Sequence, residues 1–191
     1  NFHLSYPFLL KDKGNLYMCP ETNKAGDIRI YKCLDFPLNW KLEKVLMTNV
    51  DAADTSIFKY ESKWWMMTNI DSSKIGDHDS ELHIFSSDEL LSNSWTPHDL
   101  NPVIFDSERA RNGGLIVHNN EFYRVFQKQG FDLYGEAFGV ARITLLNQEK
   151  YEEEIKFEIT PNFIKNSIGT HTLNFENGLL ATDFFSFGGV K

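Results

Sequence analysis

The sequence predicts an all-β fold: a five-bladed β-propeller, incomplete in this chain, with about three and a half blades present. Three observations lead there. First, four segments repeat one order of residues: a polar or small opening, an apolar run, a charged turn and an aromatic-rich strand. They lie at 5–21, 53–69, 112–127 and 169–185. Aligned on Leu10, Phe58, Val117 and Phe175, they recur at offsets of 48, 59 and 58 residues, a period that fits one four-stranded blade. Second, apolar and polar residues alternate through these stretches, as in half-buried antiparallel strands. Third, the short polar segments KDKG, ESK, HNNE and ENG separate paired runs as hairpin turns do. A β-sandwich is the alternative, since alternating strands alone do not separate the two architectures. The long period favours the propeller.

Each unit supports the reading in turn. The first (1–48) continues after its KDKG turn with LYM, IRIYKCLD and FPLNWKLEKVL. The second (49–106) repeats this with KWWMMT, LHIFSSD and NSWTPHD, and SDELL at 87–91 is read as one helical turn capped by Ser87. Trp64 and Trp65 are neighbours in a strand, so they face opposite sides, and both are assigned to core packing. The third unit (107–165) gives FGVARITLL and then YEEEIKFEIT, whose Glu152, Glu153 and Glu154 read as an exposed, charge-protected edge. The fourth (166–191) stops soon after its second strand, at FFSFGGVK. A partial blade leaves sheet edges open. About one to one and a half further blades are therefore expected before Asn1 and after Lys191.

Composition sets outer limits. A chain of 191 residues suits one sizeable domain. Its 41% hydrophobic and 14% aromatic content can bury too much apolar surface for disorder. No apolar run approaches the roughly 18 residues of a spanning helix. With 19 basic and 27 acidic residues the net charge is −8, which repels phosphate backbones and anionic leaflets, so neither nucleic acid nor membrane insertion is expected. Cys19 and Cys33 form neither a disulfide framework nor a zinc pattern. They read as reduced thiols of a cytoplasmic protein, and the lack of any Asn-x-Ser/Thr acceptor agrees. The start, NFHLSYPFLL, has no signal-peptide order and reads as a cut from a longer chain.

The motifs HLSYPFLL, YMCPET, IRIYKCLDFPLNW, ADTSIF, KWWMMT, SWTPHDLNPV, ARNGG, YRVFQ, YGEAFGVARI and GTHTLN occur in this order over nearly the whole chain. Together they resemble a five-bladed propeller domain related to family-43 glycoside hydrolases. The domain is similar to the N-terminal region of glucosamine inositolphosphorylceramide transferases and to one found beside bacterial sugar formyltransferase modules. The resemblance implies a preceding blade, opening on an ADPFLF-like motif, and a fused or associated transferase module. In the related hydrolases the catalytic base comes from the first blade, a supporting Asp from the second and the acid from the third. Carried onto this chain, the base has no counterpart, the supporting Asp is replaced by Tyr6, and the acid falls on Asp54. His171 matches a late-blade His that lines the funnel. Ordinary hydrolysis needs two carboxyl groups and is poorly supported.

The candidate site follows. Tyr6, Asp54, Gly113 and His171 open the innermost strands and are expected to face the central funnel. Glu21 ends an aromatic strand and requires a partner if buried, Arg111 being one. Arg109 and Arg111 offer forks for a carboxylate or phosphate, or pair with surface acids. The Gln127 amide suits sugar hydroxyls. Asp77, His78 and Asp79 read as a solvated loop rather than a metal cluster. The expected ligand is a sugar or nucleotide sugar, with no cofactor. The alternatives are a hydrolase using Asp54 as its acid and a propeller that binds only proteins.

Overall fold

The computed structural model describes residues 2–131 and 133–186. The first sheet is the meander β1 (Ser5–Asp12), β2 (Asn15–Glu21), β3 (Asp27–Asp35) and β4 (Asn39–Thr48). In the second, β5 (Ala52–Tyr60), β6 (Lys63–Ile70) and β7 (Glu81–Ser87) are followed by two short strands, β8 (Thr96–Pro97) and β9 (Ile104–Phe105), which both pair with β7. The third is the meander β10 (Asn112–His118), β11 (Glu121–Lys128), β12 (Ala137–Leu146) and β13 (Tyr151–Ile159). Last come β14 (Ser167–Gly169), β15 (Leu173–Glu176), β16 (Leu179–Thr182) and β17 (Phe185–Ser186), paired as β14–β17 and β15–β16. The GGVK end predicted for the fourth unit lies outside the described residues.

The core lies between successive sheets. One cluster joins Leu10, Cys19, Ile28 and Ile30 of the first sheet to Ile57, Trp64 and Met66 of the second. Another joins Phe58, Trp65, Met67 and Leu82 to Ile143 and Leu146 of the third. A third places Val125, Phe138 and Val140 against Leu173. Trp64 and Trp65 thus serve opposite faces of one sheet, as strand alternation requires. Along β5 and β6 nearly every residue is buried, so these strands lack the alternation that dominates elsewhere. A sheet covered on both faces excludes a two-layer sandwich and matches a middle blade of a propeller.

Each of the first three innermost strands is broken by a bulge at its start. In β1, Tyr6 and Pro7 stand opposite Pro20 alone. In β5, Asp54 and Thr55 stand opposite Thr68, and in β10 Gly113 is inserted between the pairs of Asn112 and Gly114. Bulges re-aim side chains next to functional sites. Tyr6 and Asp54 take φ of 43° and 49°, a left-handed conformation that Asp tolerates and a bulky Tyr resists. At Gly113 an added Cβ would lie 2.5 Å from the carbonyl oxygen of His171. The third unit therefore uses glycine to let the fourth approach.

Two local expectations are corrected. SDELL is not helical: Ser87 Oγ accepts from Glu89 N at 3.4 Å, and Ser92 N donates to Glu89 O, a turn that feeds the chain toward β8. Nor are all three consecutive glutamates exposed. Alternation turns Glu153 inward while Glu152 and Glu154 face solvent. The Glu153 carboxylate meets Arg124, which is 1% exposed, at 2.7 and 2.8 Å. Arg124 also donates to the carbonyls of Arg109 and Ala110, fixing the segment that enters β10.

Candidate funnel site

The bulged starts of β1 and β5 open on a cavity of about 380 Å³, which Gly113 of β10 does not line. Tyr6, Glu21, Asp54, Arg111, Gln127 and His171 all line it, together with Tyr134. They come from β1, the end of β2, β5, the segment before β10, β11, the β14–β15 connection and the β11–β12 connection. Arg109 is not among them. Its Nε lies 3.4 Å from Asp106, because a turn in which Ala110 N donates to Asp106 O rotates it away from Arg111.

Asp54 is the hub. Its Oδ2 accepts from Arg111 Nε at 2.7 Å and from Gln127 Nε2 at 3.0 Å. Arg111 Nη1 donates to Asp79 at 2.8 Å, and its guanidinium lies 5.0 Å from the Tyr134 ring centre. Desolvation works against the guanidinium charge, but Asp54 prevails and raises its proton affinity further. Gln127 Nε2 also donates to the carbonyl of Asn112. Tyr6 Oη and Ser56 Oγ are 3.0 Å apart, and burial together with Asp54 holds the phenol neutral well above its usual range.

Glu21 behaves differently. Burial and the charge of Asp54 raise its pKa, with Arg111 and a Ser5 hydrogen bond acting in the opposite sense. Among the described residues it has no ion-pair partner. On the far wall His171 Nδ1 meets Asp183, whose Oδ1 accepts from the backbone N–H of His171 at 3.1 Å and of Thr172 at 2.9 Å. Burial would raise the Asp183 pKa, but these donors outweigh it and hold the carboxyl far below the usual range.

Sequence reasoning missed Tyr134, Asp79 and Asp183. Tyr134 is delivered by the loop that Gln129 Oε1 closes onto Gly135 N at 2.8 Å. Asp79 belongs to the segment read as a solvated loop. Asp71 and Asp77 instead order that segment by accepting from Ser73, Gly76, Asp79 and Ser80, and it reaches Arg111. Among the described residues no group of three His, Cys, Asp or Glu side chains is placed to hold a metal ion. The site offers fixed acceptors and donors on a partly apolar wall, the makeup of a small polar-ligand pocket.

Fold and site together define the class, a propeller whose inner strand starts build a polar funnel. Solved structures with this fold include an endo-arabinase from Bacteroides thetaiotaomicron (19% identity, TM-score 0.63, covering 94% of this chain and 63% of that one). An exo-β-1,3-galactanase from Phanerochaete chrysosporium, solved with β-1,3-galactotriose, gives 13% identity and a TM-score of 0.66 over 98% of this chain and 45% of that one. A family-43 β-1,3-galactosidase solved with galactodeoxynojirimycin gives 11% identity and 0.68, over 98% and 70%. Residues 1–176 match the family described as glucosamine inositolphosphorylceramide transferase 1, N-terminal, and the chain belongs to that family. The transferase of that name from Arabidopsis thaliana is 35% identical over 163 residues, covering 83% of this chain and 21% of the relative. The one from Oryza sativa subsp. japonica is 37% identical over 156 residues, 80% of this chain and 20% of the relative. The chain spans about a fifth of the length of these relatives.

Proposed function

We propose that this domain binds a carbohydrate, as a sugar or nucleotide sugar, in its funnel and serves as an accessory domain of a glycan-building transferase. Glu21 carries the reading. Its carboxyl lines the cavity, yet the cation beside it, Arg111, is already held by Asp54 and Asp79. A half-buried carboxylate that has no ion-pair partner among the described residues favours a ligand that brings donors: hydroxyls, or the ammonium of an amino sugar. The relatives' name includes glucosamine, which accords with the second. Further polypeptide closes the ring to five blades, and a transferase module, of the glycosyl or formyl kind, accompanies it. The free thiols Cys19 and Cys33 support a reducing, cytoplasmic setting.

Titration calorimetry with glucosamine, N-acetylglucosamine, N-formylated amino sugars and their nucleotide conjugates tests this. Binding of one class that Glu21→Gln abolishes is the expected result. Flat traces throughout overturn the reading and leave a propeller that binds only proteins. Hydrolysis is the second reading, favoured by one observation: the raised pKa of Glu21 is what a general acid requires. Asp54, with both donors on Oδ2, is placed as an acceptor. Turnover of aryl glycosides that survives Asp54→Asn and is lost in Glu21→Gln would establish it.

A further inference from the structure

We infer that the funnel selects the protonated amine of an amino sugar and excludes sugars that carry a diphosphate, nucleotide conjugates among them. The inference rests on the sugar reading above and narrows its ligand to one charge class. Recognition of a phosphate calls for a cation with free N–H groups. Among the described residues that line the cavity, Arg111 is the one lysine or arginine, and it is already engaged. Its Nε donates to Asp54 at 2.7 Å and its Nη1 to Asp79 at 2.8 Å, while the guanidinium lies 5.0 Å from the Tyr134 ring centre.

A diphosphate drawn to Arg111 must displace Asp54, which is 4% exposed and would be left buried without its cation. Asp54 stands in β5 and Asp79 between β6 and β7, so both partners belong to the second unit. Polypeptide elsewhere in the ring does not release Arg111 from them. Gln127 offers no substitute, because its amide N–H groups already go to Asp54 and to the carbonyl of Asn112.

The charge left over is negative. Glu21, Asp54 and Asp79 stand against Arg111, and Asp183 matches His171 even when the imidazole is protonated. Tyr134, whose pKa burial pushes up to about 12 against the pull of Arg111, is neutral and adds no charge. His3, the other histidine of the lining, is exposed, and solvent screens it. Sugar hydroxyls can hydrogen-bond to Glu21, but they do not offset its repulsion by Asp54. A protonated amine does both, donating to the carboxylate in a charge-assisted bond and reducing the excess. Glu21 itself reports that excess. Burial and then Asp54 raise its pKa, and Arg111 with hydrogen bonds from Ser5 and the Asp54 backbone does not cancel them.

Calorimetry on the full chain tests it, with glucosamine set against glucose and N-acetylglucosamine, which share its ring but carry no charge. Glucosamine should bind about tenfold or more tightly than either, and added salt should weaken glucosamine alone. Glu21→Gln should remove that preference, and Glu21→Asp, which keeps the charge, should retain part of it. Circular dichroism reports that each variant is folded. Inorganic pyrophosphate and uridine diphosphate N-acetylglucosamine should fail to displace glucosamine, a competition that ignores their binding to any other module. Glucose or N-acetylglucosamine binding as tightly as glucosamine, or glucosamine displaced by pyrophosphate, overturns the inference and leaves the sugar reading standing. A glucosamine preference untouched by both Glu21 variants also overturns it. No binding by any of the three sugars overturns the inference and the sugar reading together.

Discussion

Arg111 Nε and Asp54 Oδ2 meet at 2.7 Å across 57 residues of sequence, and the same guanidinium reaches Asp79 at 2.8 Å. One side chain placed just before the third sheet thereby locks the inner strand and a loop of the second. Removing it leaves Asp54, at 4% exposure, buried without its cation. Arg111→Met should cost about 3 kcal/mol or more, read from the urea midpoint. Arg111→Lys restores the charge but not the fork, and should recover only part of that loss.

Glu153 makes a pH prediction. Burial would raise its pKa, but Arg124 outweighs it and the carboxyl is held below its ordinary range. A depressed folded-state pKa gives stability that is present above the unfolded pKa, about 4.3, and lost as pH falls through the folded value. Glu153→Gln should therefore be least stable relative to the parent at neutral pH, by about 3 kcal/mol. The difference should shrink in denaturation curves taken at progressively more acid pH.

Glu21 has the opposite sign. Its raised pKa means that the folded state binds the proton more tightly than the unfolded chain does. Ionised Glu21 thus costs stability above its folded pKa, and the cost disappears as pH falls below the unfolded value. Glu21→Gln should melt higher than the parent at pH 7 while losing ligand affinity. A lower melting temperature at pH 7 would contradict the assignment.

Two glycines separate crowding from strain. A Cβ at Gly113 would meet the His171 carbonyl at 2.5 Å, whereas one at Gly14, with φ of +77°, would meet nothing within 4 Å. Gly113→Ala should cost about 1–3 kcal/mol through overpacking and also weaken ligand binding by pushing the fourth unit outward. Gly14→Ala should cost about 1 kcal/mol through backbone strain alone, leaving the cavity intact.

Which residues the reading could reach follows from the range of the forces involved. The fold was legible because a repeat of 48 to 59 residues, hairpin turns and adjacent tryptophans on opposite faces all act within one blade. Glu153 shows where the reading stopped. A run of three charges looks like a solvated edge until β13 is seen to carry its middle member against Arg124, 29 residues away. Arg109 and Arg111 were indistinguishable by type, and a turn anchored on Asp106 sent one outward. Asp183 carried no local signal, since its meaning lies in the backbone N–H groups of His171 and Thr172.

The amino-acid order by itself determined that meander sheets follow each other, and that Tyr6 and Asp54 stand near the starts of equivalent strands, whereas His171 lies in the connection between β14 and β15. It did so because alternation and repeat length are properties of neighbouring residues. Only the tertiary structure decided which charges meet: that Asp54 takes Arg111 and Gln127, and that Asp79 is drawn in from a loop. Only it showed that, among the described residues, Glu21 has no ion-pair partner and that the nearby Arg111 is held by Asp54 and Asp79. Ion pairing depends on distances between side chains tens of residues apart, and those are fixed when the blades pack face to face around the funnel.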